Sequence, residues 1–71
     1  MSTKQKIVSH IRGHMEQAGF SVQGLAGETG LSPQTIMRAR GPMIARCTLE
    51  TLTTIAGALG VKMKELFEET D

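Results

Sequence analysis

Phe20-Ser21-Val22-Gln23-Gly24-Leu25-Ala26-Gly27-Glu28-Thr29-Gly30-Leu31-Ser32-Pro33-Gln34-Thr35-Ile36-Met37-Arg38-Ala39-Arg40 spells the same helix-start signal twice in close succession. Ser21 is a good N-cap, because its hydroxyl can accept from a free N–H of the first turn. Phe20 before it and Leu25 after it have the spacing of a hydrophobic staple. Leu31, Ser32 and Ile36 repeat that arrangement, with Pro33 at the first helical position, where its missing N–H costs nothing. Gly30 lies between the two units and permits the positive φ of a tight turn. The stretch from about residue 21 to 40 therefore predicts two helices joined by a short turn, the second ending at Gly41 with an αL cap, since Pro42 cannot continue it.

Working outward, Ile7, Ile11, Met15 and Ala18 recur as the stripe of an amphipathic first helix, which Gly19 stops. Met43 to Cys47 read as a connecting loop. Thr48 caps a fourth helix whose Leu49, Leu52, Ile55, Ala56 and Leu59 share a face and which Gly60 ends. Cys47 stands in staple position against Leu52, as a small core residue. Val61 and Leu66 have the staple spacing again, so Met63 to about Glu68 is expected as a short fifth helix, although Lys62 is a poor cap. The expectation is an all-α chain of five short helices without strands, residues 1–71 forming one domain, with an acidic tail over 68–71.

Composition agrees. Two Phe and no Trp or Tyr leave Ile, Leu, Val, Met and Ala to build the core, which suits helices packed on helices. One Cys cannot form an internal disulfide and is usual in a reducing cytosol. No apolar run nears the ~20 residues of a membrane span, and the first residues lack a signal-peptide core, so a soluble, cytoplasmic protein without membrane contact is expected. The net charge of +1 conceals segregation: Arg38, Arg40 and Arg46 stand between Thr29 and Leu49 with no acid, while Glu65, Glu68, Glu69 and Asp71 close the sequence with no base. One region could face a polyanion and the other face away, although such runs are often only solvated surface.

Enzyme chemistry finds no support. His10 and His14 stand at i, i+4, as two metal ligands can, but no companion Glu completes a catalytic motif and Cys47 is remote in sequence. No nucleophile–base set and no Gly-rich phosphate loop after a strand can be assembled. No cofactor, metal or catalytic residue is assigned.

A glycine-containing turn between two helices is also the pattern of an ordinary helical hairpin, so the wider set of residues decides. The Leu25-Ala26 pair with Gly30, the Ser32-x-x-Thr35-Ile36 helix start and the Ala58-Leu59-Gly60-Val61 ending resemble the phage repressor and Cro-like helix-turn-helix family, also called the xenobiotic-response-element type. The resemblance runs from about Ile7 to Phe67. It implies a lambda-repressor-like fold and a bacterial or phage regulator of transcription, a repressor first of all, that binds double-stranded DNA as a homodimer. The alternative within the family is an antitoxin or adaptor that uses the same fold to hold a protein partner such as a toxin.

On this resemblance the third helix enters the major groove. Gln34 is then suited to adenine, Arg38 to guanine and the Thr35 methyl to thymine, with Pro33 offering only apolar contact. Backbone phosphates fall to Gln23, Ser32, Arg40 and Arg46, helped by the N-terminus of the second helix. Each of these side chains is otherwise an ordinary solvated group. The chain departs from the family at Val22, where a Gln is frequent, at Pro33, and at Arg40, where a Glu often pairs with a base on the first helix. Here that first-helix position is Met15, leaving Arg40 to serve DNA or to pair with Glu16 or Glu28. Gly13, Gly24, Gly27 and Gly57 all fall inside expected helices, each costing about 0.5–1 kcal/mol relative to Ala. A fragile monomer follows, with a second subunit or DNA supplying part of the stability. Met63, Phe67 and Ile44, with Met43, are the candidate dimer surface, Met63 and Phe67 being equally suited to the core.

Overall fold

The computed structural model describes the backbone of residues 6–70 and the side chains of residues 7–69; Asp71, the end of the expected acidic tail, lies outside the described residues. In chain order it consists of β1 (Lys6–Ser9), α1 (Ile11–Ala18), α2 (Val22–Thr29), α3 (Pro33–Ala39), a 3-10 turn at Ile44–Arg46, α4 (Leu49–Leu59), a second 3-10 turn at Met63–Glu65, and β2 (Phe67–Thr70).

The caps fall where the sequence puts them. Ser21 Oγ accepts from Gly24 N at 2.9 Å, Ser32 Oγ from Thr35 N at 3.1 Å, and Thr48 Oγ1 from Thr51 N at 3.1 Å. Gly19, Gly30 and Gly60 stop α1, α2 and α4 in the left-handed region. Between α2 and α3, Gly30 (φ 78°) donates to the Ala26 carbonyl at 2.8 Å, the bond that reverses the chain. Thr29 Oγ1 tightens the turn, donating to Leu25 O at 2.8 Å and accepting from Leu31 N at 3.2 Å.

Three expectations are corrected. The chain is not all-α with five helices: among the described residues four α-helices are joined by a two-stranded antiparallel sheet, β1 against β2, with Ile7 opposite Glu69 and Ser9 opposite Phe67. Ile7 thus belongs to a strand, and α1 begins only at Ile11, because Ile7-Val8 is β-branched and finds its partner at the far end of the sequence. The fifth helix shrinks to one 3-10 turn. Glu65 reaches back to accept from Lys62 N at 3.1 Å, and Phe67 then turns into the strand. α3 ends at Arg40 in right-handed geometry, not at a left-handed Gly41.

The sheet is held to α1 by His10. Its backbone N donates to Leu66 O at 2.7 Å, and its Nε2 meets Glu68 Oε1 at 3.0 Å, while His14 Nε2 meets Glu65 O at 3.0 Å. A two-stranded ribbon is marginal alone. Here Ile7 and Phe67 lay its inner side against the core.

That core gathers Ile11 and Met15 from α1, Leu25 and Ala26 from α2, Ile36 and Ala39 from α3, Leu52, Ile55 and Ala56 from α4, and Ile44 and Leu66 from the turns. Each large side chain buried contributes about 1.5–3 kcal/mol of transfer free energy. Cys47 is half-buried against this cluster, as are Met63 and Phe67. Leu49, expected on the buried face of α4, is exposed because it stands at the edge of the stripe in a first turn that nothing covers. Ala18 is exposed as well.

The helical glycines give a direct test of the packing. A Cβ at Gly13, Gly27 or Gly57 meets nothing within 4 Å, whereas at Gly24 it meets Ser21 Oγ at 3.1 Å. The triple change Gly13→Ala, Gly27→Ala, Gly57→Ala is expected to add about 1.5–3 kcal/mol. In a domain of this size that raises the thermal midpoint by roughly 6–24 °C. Gly24→Ala presses on the α2 cap and gains less than any of the three. Gly30→Ala, at φ 78°, lowers the midpoint. Thermal melts followed by circular dichroism decide it, and a triple variant no more stable than its parent overturns the account.

Candidate nucleic-acid interface

The site follows from what α3 buries. Ile36 and Ala39 are both fully enclosed, fixing one face of the helix against α2 and the 3-10 turn that follows α3. Positions 34, 37 and 38 then project from the opposite face, and Pro33, Gln34, Met37 and Arg38 are all exposed. Gln34 and Arg38 lie one turn apart, as their spacing implied. Thr35 is different. It is half-buried, and its Oγ1 lies 2.9 Å from Ser32 Oγ, so its hydroxyl is engaged in the cap and its methyl is left for any outward contact. Ser32 in turn uses its hydroxyl on Thr35 and has its backbone carbonyl bonded to Ile36 N.

Met37 carries no role in the sequence analysis, because an apolar side chain gives no hydrogen-bonding signal for a base edge. Its spacing, i+3 from Gln34, already placed it on the outer face. At 61% exposure it is among the most open large apolar side chains described.

The backbone-directed candidates stand on different elements. Gln23 is exposed in the first turn of α2, Arg46 is exposed in the 3-10 turn after α3, and Arg40 is half-buried at the α3 C-cap. Among the described residues the ion pairs are His10–Glu68 and Arg12–Glu16. Arg40 therefore pairs with neither Glu16 nor Glu28, and Arg38, Arg40 and Arg46 keep their charges uncompensated along one strip of sequence. At the α2 N-terminus Ser21 occupies only the Gly24 N–H. The N–H groups of Val22 and Gln23 have no partner within so early a turn and carry the positive end of the helix dipole.

Ile44, a candidate for the dimer surface, is 1% exposed: it is a core residue and offers nothing to a second copy. Its neighbour Met43 is 44% exposed. The described residues enclose no pocket and bring together no group of three or more metal-binding side chains. His10 and His14 are engaged by Glu68 and the Glu65 carbonyl instead. No helix is long and apolar enough to cross a membrane among the described residues.

Comparison with known proteins agrees with this geometry. The family model for the Cro/C1-type helix-turn-helix DNA-binding domain matches residues 10–71, nearly the whole chain. No curated protein matches closely enough to count as a relative.

Cys47 reports on the position of Arg38. Partial burial pushes its thiol above the ordinary value, and the nearby Arg38 guanidinium draws it part of the way back. A raised value means less thiolate at any given pH. Alkylation of the folded protein by iodoacetamide should therefore reach half its limiting rate at a higher pH than in the urea-unfolded chain. Arg38→Ala should move that midpoint higher still, since only the lowering influence is removed. A midpoint unmoved by Arg38→Ala means that the guanidinium points away from Cys47.

Proposed function

Because the chain belongs to the Cro/C1-type helix-turn-helix DNA-binding domain family, we propose that it is a sequence-specific regulator of transcription, a repressor, that reads the major groove with α3 as a homodimer. The observation that carries this reading is the outer face of α3. Gln34, Met37 and Arg38 stand exposed together on a helix whose other face is locked into the core by Ile36 and Ala39.

Gln34 is the adenine reader and Arg38 the guanine reader, since each can form a bidentate pair worth about 1–3 kcal/mol of discrimination. Met37 and the Thr35 methyl supply apolar contact to thymine methyl groups, and Pro33 flanks them. Gln23, Arg40 and Arg46, with the free N–H groups of α2, contact phosphates, which position the helix without specifying sequence. Ser32 contributes through the start of α3, its hydroxyl remaining in the cap.

One such helix reads only a few base pairs, and two copies about one DNA turn apart give a usable site. With Ile44 in the core and Met63 and Phe67 half-buried, the exposed Met43 and Leu49 are the apolar groups best suited to meet a second copy, Met63 and Phe67 adding their open edges. The cytosol is the compartment that fits a DNA-binding role and a lone thiol.

Selection of bound sites from a random duplex library, followed by titrations at two salt concentrations, tests the reading. Arg38→Ala and Gln34→Ala should each relax one base position per half-site, at a cost of about 1–3 kcal/mol. Arg46→Ala should weaken all sequences alike and lower the salt slope by about 1. Sedimentation of the complex should give two copies per duplex. Absence of duplex binding near ~50 mM salt would instead favour a protein-binding adaptor or antitoxin.

A further inference from the structure

The C-terminus of α3 lacks an ordinary helix stop. Its last residue, Ala39, has a carbonyl that a continuing helix would satisfy with the N–H groups three or four residues on. The residue three places on is Pro42, which has no N–H. No left-handed glycine closes this end, and among the described residues no backbone N–H bonds the Ala39 carbonyl. Ser9, thirty residues away in sequence, fills the place: its Oγ donates to Ala39 O at 2.8 Å in a part-buried bond. The same oxygen accepts from Ile11 N at 3.3 Å. Ser9 is thus held between the start of α1 and the end of α3. Its backbone is set by pairing with Phe67 in the sheet.

We propose that Ser9 is a positioning residue for the recognition helix. Its hydroxyl supplies the donor that Pro42 cannot, and so fixes the end of α3 from which Arg38 and Arg40 extend. Ser9 precedes the residues that the family model matches, so this assignment comes from the geometry of this chain. It rests on the DNA-reading role of α3 for its functional consequence, and on the hydrogen bond alone for its structural one.

The test uses the full chain with Ser9→Ala, which removes the hydroxyl, and Ser9→Thr, which keeps it. Val61→Ala, a burial loss after α4, serves as a comparator of general destabilisation. In amide NMR spectra of the free protein, Ser9→Ala is expected to shift the resonances of Ala39, Arg40 and Gly41 and to speed their exchange. Ser9→Thr and Val61→Ala should leave those resonances in place. Affinity for the duplex recovered by selection, measured where all variants are folded, should fall about three- to tenfold in Ser9→Ala, as expected for one lost hydrogen bond. Ser9→Thr should restore it. Unchanged resonances at 39–41, or an affinity loss in Val61→Ala equal to that in Ser9→Ala, overturns the proposal. If the parent chain binds no duplex, the DNA reading fails, and the resonances still decide whether Ser9 fixes the end of α3.

Discussion

A helix of seven or eight residues has at least as many open backbone groups at its ends as closed ones within it, because its first four N–H and last four C=O groups lack internal partners. Helices α1, α2 and α3 are all of this kind, with eight, eight and seven residues. Their existence depends on what closes their ends, and most of the chain's punctuation serves that need. Ser21, Ser32 and Thr48 close three N-termini, and Gly19, Gly30 and Gly60 close three C-termini. With the ends closed, Leu25, Ile36 and Ile55 can be brought together without leaving orphaned polar groups, and no buried side-chain N or O lacks a partner among the described residues.

The division between what the sequence reveals and what it hides follows from the range of these closures. A serine cap and its N–H are three residues apart, and a glycine stop bonds back four, so the reading of 21–40 gives α2, the turn and α3 nearly to the residue. The end of α3 is hidden because its donor comes from Ser9, and the sheet is hidden because Ile7 meets Glu69 across almost the whole chain. Ile7 satisfies a helical spacing with Ile11 and Met15 and also lies in a β-branched Ile-Val pair. Only the distant strand decides between them. Phe67 was drawn into a fifth helix for the same reason.

The face of α3 was legible in part. Burial of Ile36 fixes which residues point outward, so Gln34 and Arg38 emerge from spacing alone, whereas Met37 was hidden by its chemistry. Thr35 shows the opposite limit: its residue type suits a base contact, but the cap engages its hydroxyl. Ile44 was misjudged because an apolar residue in a loop resembles an interface until the loop folds back as a 3-10 turn beneath the core.

Reading a base edge requires a side chain whose backbone is already in place, since ordering it during binding costs about 1–2 kcal/mol per residue. α3 meets this condition through four anchors: Ile36 and Ala39 beneath it, Ser32 at its start and Ser9 at its end. The first three belong to the helix itself. The fourth is carried on a four-residue strand whose own partner is another four-residue strand, the kind of ribbon that opens most readily in a small domain. Its stability comes from Ile7 and Phe67 on the core and from His10 and His14 bound to β2 and the turn before it. Ser9 thus faces Phe67 in the ribbon while its hydroxyl holds the Ala39 carbonyl. The end of α3 is in this way tied to the pairing of the chain's first and last described strands, at a place where Pro42 has no N–H to give.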